Sequence, residues 1–96
     1  MQALIVGADR VETIRAEIDR VADRLGIREV DHWPGRKAGD GRRQLSRHTR
    51  LVVFVCDRAN HMLMRHVRRQ AQEQGVPMVF CRHSATELRE RLEGLP

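Results

Sequence analysis

Six consecutive apolar residues at positions 51–56 constrain the fold of this chain more than any other feature. The run ends in Cys56, is followed by Asp57, and gives way at once to a helix-like segment that begins near Arg58. A strand of a parallel sheet reads as such a continuous apolar run when helices cover both of its faces. Ligands of these sheets bind beyond the carboxyl ends of the strands. The sequence therefore predicts an α/β domain whose chemistry lies just after this strand.

The remaining apolar segments predict strands that alternate with helices. Strands are expected at residues 3–6, 27–32 and 76–81, and helices at 10–25, 58–74 and from 84 onward. Asp9 with Glu12 and Ser84 with Glu87 are spaced as helix-opening capping boxes. A glycine-rich loop and a short helix at 44–50 are expected before the central strand. This order predicts a three-layer, flavodoxin-like domain with a four-stranded parallel sheet in the order 2-1-3-4 and helices on both faces.

Length and composition limit the chain to a few classes of protein. Its 96 residues predict one domain, and a chain this short buries a modest share of its surface, which favours a homodimer. No apolar run reaches the roughly 18 residues of a membrane span. The first residues lack the basic and apolar regions of a signal peptide. We therefore expect a cytoplasmic protein whose two cysteines are reduced thiols.

The net charge of +5 raises the question of nucleic-acid binding. Lys37 is the one lysine among 18 basic residues, and the arginines are scattered along the predicted helices. Trp33, Phe54 and Phe80 are the three aromatic residues, and both phenylalanines fall in predicted strands, so no stacking platform for bases is expected. The linear sequence therefore argues against nucleic acid as the partner.

Thiol and imidazole groups follow the predicted third and fourth strands. Cys56 and Cys81 would end adjacent parallel strands, and His61 and His83 follow within a few residues. These groups favour zinc, copper or iron, and imidazole or thiolate also serves as an axial ligand of haem. The sequence thus favours a binding or sensing module with a metal or haem cofactor, with His61 as the preferred ligand and Asp57 orienting an imidazole.

Other interpretations stay open at this point. Both cysteines could simply fill the core, Asp57 could simply cap a helix, and a thiol redox role would need a lowered thiol pKa. A nucleotide or small anion could bind the first strand–helix turn and the basic loop. That site would use Gly7, Asp9, Arg10, Arg36 and Lys37. An interaction-only homodimer is the third possibility. No nucleophile elbow is present, and Asp57 with His61 lacks an identifiable nucleophile between them, which favours a binding protein over an enzyme.

Several motifs resemble the bacterial family called domain of unknown function 2325. They are Val6-Gly-Ala-Asp9, Leu25-Gly26, His32-Trp-Pro-Gly35, Val55-Cys-Asp-Arg-Ala-Asn-His61 and the closing stretch from Val76 to Ser84. The resemblance covers nearly the whole chain, and Asp57 with His61 four residues later is its most specific part. Asn60 stands where the family commonly has serine, and Ala8 where it commonly has a second glycine. The resemblance implies a small Rossmann-like module and assigns no reaction.

Overall fold

The described residues form four parallel strands and three helices, and the second strand is followed by the third without a described helix between them. The computed structural model describes residues 1–7, 11–34, 43–55, 61–82 and 85–95. Of His61 it describes the backbone alone. The elements are β1 (Gln2–Val6), α1 (Glu12–Leu25), β2 (Glu29–Trp33), β3 (Thr49–Val55), α2 (His61–Gln74), β4 (Met78–Cys81) and α3 (Ala85–Glu93). The strands form one sheet in the order β2-β1-β3-β4, and every pairing is parallel. The predicted fold class and strand order are confirmed.

Two hydrophobic cores lie on opposite faces of the sheet. Successive side chains of a strand point to opposite faces, so a strand between two helical layers is apolar at every position. Accordingly, residues 51–55 of β3 are all at most 6% exposed. One core joins the sheet to α1 and α3 through Ile5, Ile18, Val21, Leu51, Val53, Leu88 and Leu92. The other joins it to α2 through Leu4, Val6, Val52, Phe54, Leu63, Val67 and Ala71.

An ion pair and a set of carbonyl contacts join α1 to α3. The Arg89 guanidinium donates to both carboxylate oxygens of Glu17, each at 3.0 Å, although only 5% of the Glu17 surface is exposed. These hydrogen bonds hold the pKa of Glu17 below its ordinary value. Arg24 donates to the carbonyl oxygens of Leu92 at 3.0 Å and Leu95 at 2.6 Å, at the carboxyl end of α3. An arginine is favourable there because the last carbonyls of a helix lack partners.

Some predicted boundaries are wrong. Residues 44–50 do not form a helix: residues 43–46 have no regular structure, a turn follows, and Thr49 and Arg50 belong to β3. The predicted helix start at Arg10, with a capping box opened by Asp9, is also wrong, because the helix begins at Glu12 and its N-cap residue is Val11, which makes no side-chain capping hydrogen bond. The other end is as predicted, with Gly26 closing α1 at a φ of 72°. Among the described helices none combines the length and apolar character that a membrane crossing requires.

Candidate functional site

The carboxyl edge of the sheet has a switch point between β1 and β3. These strands are neighbours, yet α1 packs on one face and α2 on the other. In α/β proteins ligands bind at such a point, beyond the carboxyl ends of the strands. Gly7 follows β1 at this point with a φ of +96°, and a Cβ on it would lie 2.9 Å from the carbonyl oxygen of Val55. The ends of β1 and β3 therefore approach so closely that a side chain is excluded.

His61 is the first residue of α2, the helix that follows β3. Its backbone thus stands near the carboxyl edge, as the sequence predicted. The second histidine of this helix, His66, is accounted for by a contact elsewhere, because its Nε2 lies 2.7 Å from the carbonyl oxygen of Arg43. A carbonyl only accepts, so this hydrogen bond forms in the tautomer that carries its proton on Nε2, which then does not accept from Gln70 Nε2 at 2.9 Å.

Cys81 ends β4 at the same edge but points into the core. It is 4% exposed and belongs to the cluster between the sheet and the α1–α3 layer. Its neighbour across the sheet is Val55, one residue before Cys56. Neighbouring residues of a strand point to opposite faces of the sheet. Because Cys81 pairs with Val55, the expected lateral pairing of Cys81 with Cys56 is not the observed register. The environment of Cys81 is that of a core residue.

Most of the other predicted site residues lie outside the described residues. These are Cys56, Asp57 and His83 of the expected metal or haem site, and Asp9, Arg10, Arg36 and Lys37 of the expected anion site. The described residues alone contain no group of three or more His, Cys, Asp or Glu side chains that could hold a metal ion. The parts of the predicted site that can be placed are Gly7, Cys81 and the backbone of His61.

The first strand–helix turn offers one amide fewer to an anion than the sequence suggested. The Gly7 N–H donates to the carbonyl oxygen of Trp33 at 2.9 Å and so extends the pairing of β1 with β2. Glu12 occupies the first turn of α1. A carboxylate there already interacts favourably with the positive end of the helix dipole and repels a bound anion. No contact among the described residues favours the anion site.

A polar clasp on α2 was missed by sequence reasoning. We use this name for His66, Gln70 and Gln74, which lie four residues apart on one helix face and hold the chain at residues 43–45. Gln70 Nε2 donates to the Arg43 carbonyl at 3.0 Å, and Gln70 Oε1 accepts the Leu45 N–H at 2.8 Å. Gln74 donates to the Leu45 carbonyl at 3.4 Å. The four-residue spacing of these side chains was the available signal in the sequence. However, Leu45, the partner of Gln70, lies 25 residues away in sequence.

The one tryptophan of the chain lies next to the clasp. Trp33 is the last residue of β2, whereas the predicted strand ended at residue 32, and it is 4% exposed. The guanidinium of Arg43 lies 5.4 Å from the centre of its ring, a cation–π distance. The backbone of the same Arg43 is held by α2. The clasp thereby fixes the residue that covers Trp33.

Comparison with known proteins identifies the family of the chain. No curated protein and no solved structure matches it. The family described as "Uncharacterized protein conserved in bacteria (DUF2325)" matches residues 2–95. The match spans β1 to the end of α3, so it includes the switch point and the whole sheet. The chain therefore belongs to this bacterial family, as the motifs around Asp57 and His61 indicated.

Proposed function

We propose that the domain is a ligand-binding or sensing module that holds a metal or haem cofactor through His61. The observation that carries this proposal is the position of His61 at the start of α2, beside the switch point of the sheet. Parallel α/β sheets bind their ligands at this place. The contact of His66 with the Arg43 carbonyl leaves His61 as the better candidate of the two α2 histidines.

The residue chemistry supports the same proposal. Imidazole is an axial ligand of haem and a ligand of zinc, copper and iron. Cys56 and His83 are the further candidate ligands, and Asp57 would orient an imidazole through its second nitrogen. Cys81 is a weaker candidate because it is buried in the core. A bound haem or metal would supply redox or gas-binding chemistry, and we propose no turnover of a substrate.

Spectroscopy and elemental analysis test this proposal directly. Protein as purified is analysed for metals, and the apoprotein is titrated with haem while the Soret band is recorded. We expect saturable binding that is lost in His61→Ala. The matched control is His48→Ala, because His48 is an exposed histidine just before β3, at the opposite edge of the sheet. If no metal is found and no Soret band forms, or if the two variants bind equally, the proposal is wrong.

A homodimer in the cytoplasm is part of the same proposal. Strand β2 lies at an edge of the sheet, and edge strands are common places for association between copies. The two cysteines of the chain fit a reducing compartment. Sedimentation equilibrium at several concentrations should give a mass of twice 11.1 kDa. A concentration-independent mass of one chain would contradict the dimer without affecting the cofactor proposal.

A further inference from the structure

The fold places most of the excess positive charge of the chain on one face of the sheet. We call residues 43–50 together with α2 the basic layer. It contains six arginines and one carboxylate, Glu73. Helices α1 and α3, on the other face, contain five arginines and seven carboxylates. The excess positive charge, which looked scattered in the linear sequence, is therefore concentrated on the α2 side.

The arginines of the two faces also differ in the contacts that they make. On the α1–α3 face, arginines bond to carboxylates or carbonyls; examples are Arg20 and Arg89 with Glu17, Arg91 with Glu87, and Arg24 with the end of α3. In the basic layer, Arg47, Arg50, Arg65 and Arg69 are exposed. None of these four forms an ion pair with another residue that the structure describes. Their charges are available to an external anion.

The chemistry of this surface fits a phosphate backbone better than an acidic protein. Stable protein interfaces have an apolar centre, whereas interfaces with nucleic acid are polar and strongly positive. Met62 is the one large apolar side chain that is exposed in the described part of the layer. Arginine also binds phosphate with two parallel hydrogen bonds. The acidic residues Glu29 and Asp31 of the edge strand β2 are exposed at one side and would limit the surface there.

We propose that the basic layer binds the phosphate backbone of double-stranded nucleic acid without reading its sequence. This function is separate from a cofactor at the carboxyl edge. The linear sequence argued against nucleic-acid binding because its arginines are scattered along the chain. They come together only in the fold, where α2 packs beside residues 43–50. The absence of an exposed aromatic platform among the described residues still argues against single strands.

Fluorescence anisotropy of a labelled duplex tests the proposal. A duplex of about 20 base pairs, at about 3.4 Å per base pair, is longer than the 33 Å largest dimension of the domain. We expect binding at low salt that weakens as salt increases. The double variant Arg65→Gln with Arg69→Gln should bind more weakly, and the slope of log K against log salt should become shallower by about 1.8, from about 0.9 for each lost phosphate contact.

The matched control removes the same charge from the other face. Arg20→Gln with Arg91→Gln also replaces two exposed arginines, whose side chains are 59% and 53% exposed. This control should keep the slope of the parent protein, and circular dichroism should show both variants folded. Equal weakening in the two double variants, or no duplex binding at low salt, would overturn the proposal. Tighter binding of polyglutamate than of the duplex would also overturn it in favour of an acidic protein partner.

Discussion

At the scale of single residues, Gly7 joins the ends of β1 and β3. Its φ of +96° disfavours any side chain, and so does the Val55 carbonyl oxygen, which would lie 2.9 Å from a Cβ at this position. We expect Gly7→Ala to lower the free energy of unfolding by about 1–3 kcal/mol through backbone strain, with a further loss from the contact. Urea denaturation measures the change. A loss of ligand binding in a Gly7 variant would consequently report damage to the fold.

Gly26→Ala is the matched control for that substitution. Gly26 also has a positive φ, 72°, but no atom lies within 4 Å of the position of a Cβ. This variant should lose about 1–2 kcal/mol from the left-handed conformation alone. If the two variants are equally destabilised, the close approach of the Val55 carbonyl contributes nothing, and the strand ends can separate more easily than the geometry indicates.

Gln70 is the residue on which the clasp of α2 depends most. Its amide donates to the Arg43 carbonyl and accepts from the Leu45 N–H. We expect Gln70→Ala to lower the free energy of unfolding by about 1–2 kcal/mol, because two hydrogen bonds are lost. Trp33 is the only tryptophan and lies under Arg43, so its emission should shift to longer wavelength in this variant.

Gln72→Ala makes the same chemical change on the exposed side of the same helix. Alanine has the higher helix propensity, so this variant should be as stable as the parent, with unchanged Trp33 emission. An unshifted Trp33 spectrum in Gln70→Ala would mean that residues 43–45 stay in place without the glutamine. The clasp would then be a consequence of packing by Leu45, which is 6% exposed.

At the scale of elements, the contact between α1 and α3 depends on the charge of Glu17. The hydrogen bonds from Arg89 lower the pKa of this carboxyl from its ordinary value of 4.5. Because the folded pKa lies below the unfolded one, the stabilisation is fully present above that ordinary value and is lost as pH falls through the folded pKa. Glu17→Gln should therefore lower Tm at neutral pH, and its difference from the parent should shrink in acid.

Thermal scans between neutral pH and about pH 3 follow this difference across the range in which carboxylates titrate. Glu87→Gln is the control, because Glu87 forms a 3.4 Å pair with the exposed side chain of Arg91. Pairs of that kind contribute little to stability. A Glu17→Gln difference that stays constant with pH would show that the glutamine loses a packing contact and no charge interaction.

The elements differ in how well the sequence predicted them, and the reason is where their stabilising contacts lie. Strand β3 and the apolar stripe of α1 were predicted because the spacing of apolar residues along the chain indicates which residues are buried. Residues 44–50 were predicted to form a short helix and do not form one. The start of this segment contacts glutamines of α2 through the Leu45 N–H and carbonyl, and these glutamines lie more than 20 residues further along the chain. Local patterns contain no information on such a contact.

The candidate site was predicted only in part for the same reason. The position of His61 at the carboxyl edge follows from the order of strands and helices, which the sequence contains. The burial of Cys81 depends on register, since the residue pairs with Val55 and so faces the α1–α3 core. A single sequence indicates the existence of a strand better than the face to which each of its terminal residues points.

At the scale of the whole molecule, the basic layer should make stability depend on salt. Its six arginines repel one another, and added salt screens that repulsion. We expect Tm to rise between low and physiological ionic strength. Arg65→Gln with Arg69→Gln should start from a higher Tm and respond less to salt. A Tm that falls with salt would mean that attractive pairs, such as those on the α1–α3 face, dominate the electrostatic free energy.

The anchoring of the last residues by Arg24 has a consequence for how the domain can be joined to others. Arg24 holds the Leu95 carbonyl, and Met1 and Leu95 line the same surface cavity of about 600 Å³. The two ends of the described chain are thus neighbours at the amino edge of the sheet. A partner domain fused to either end would be attached at the amino edge, opposite the carboxyl edge of the sheet. A short linker between the ends should likewise permit a circularly permuted protein with the same sheet.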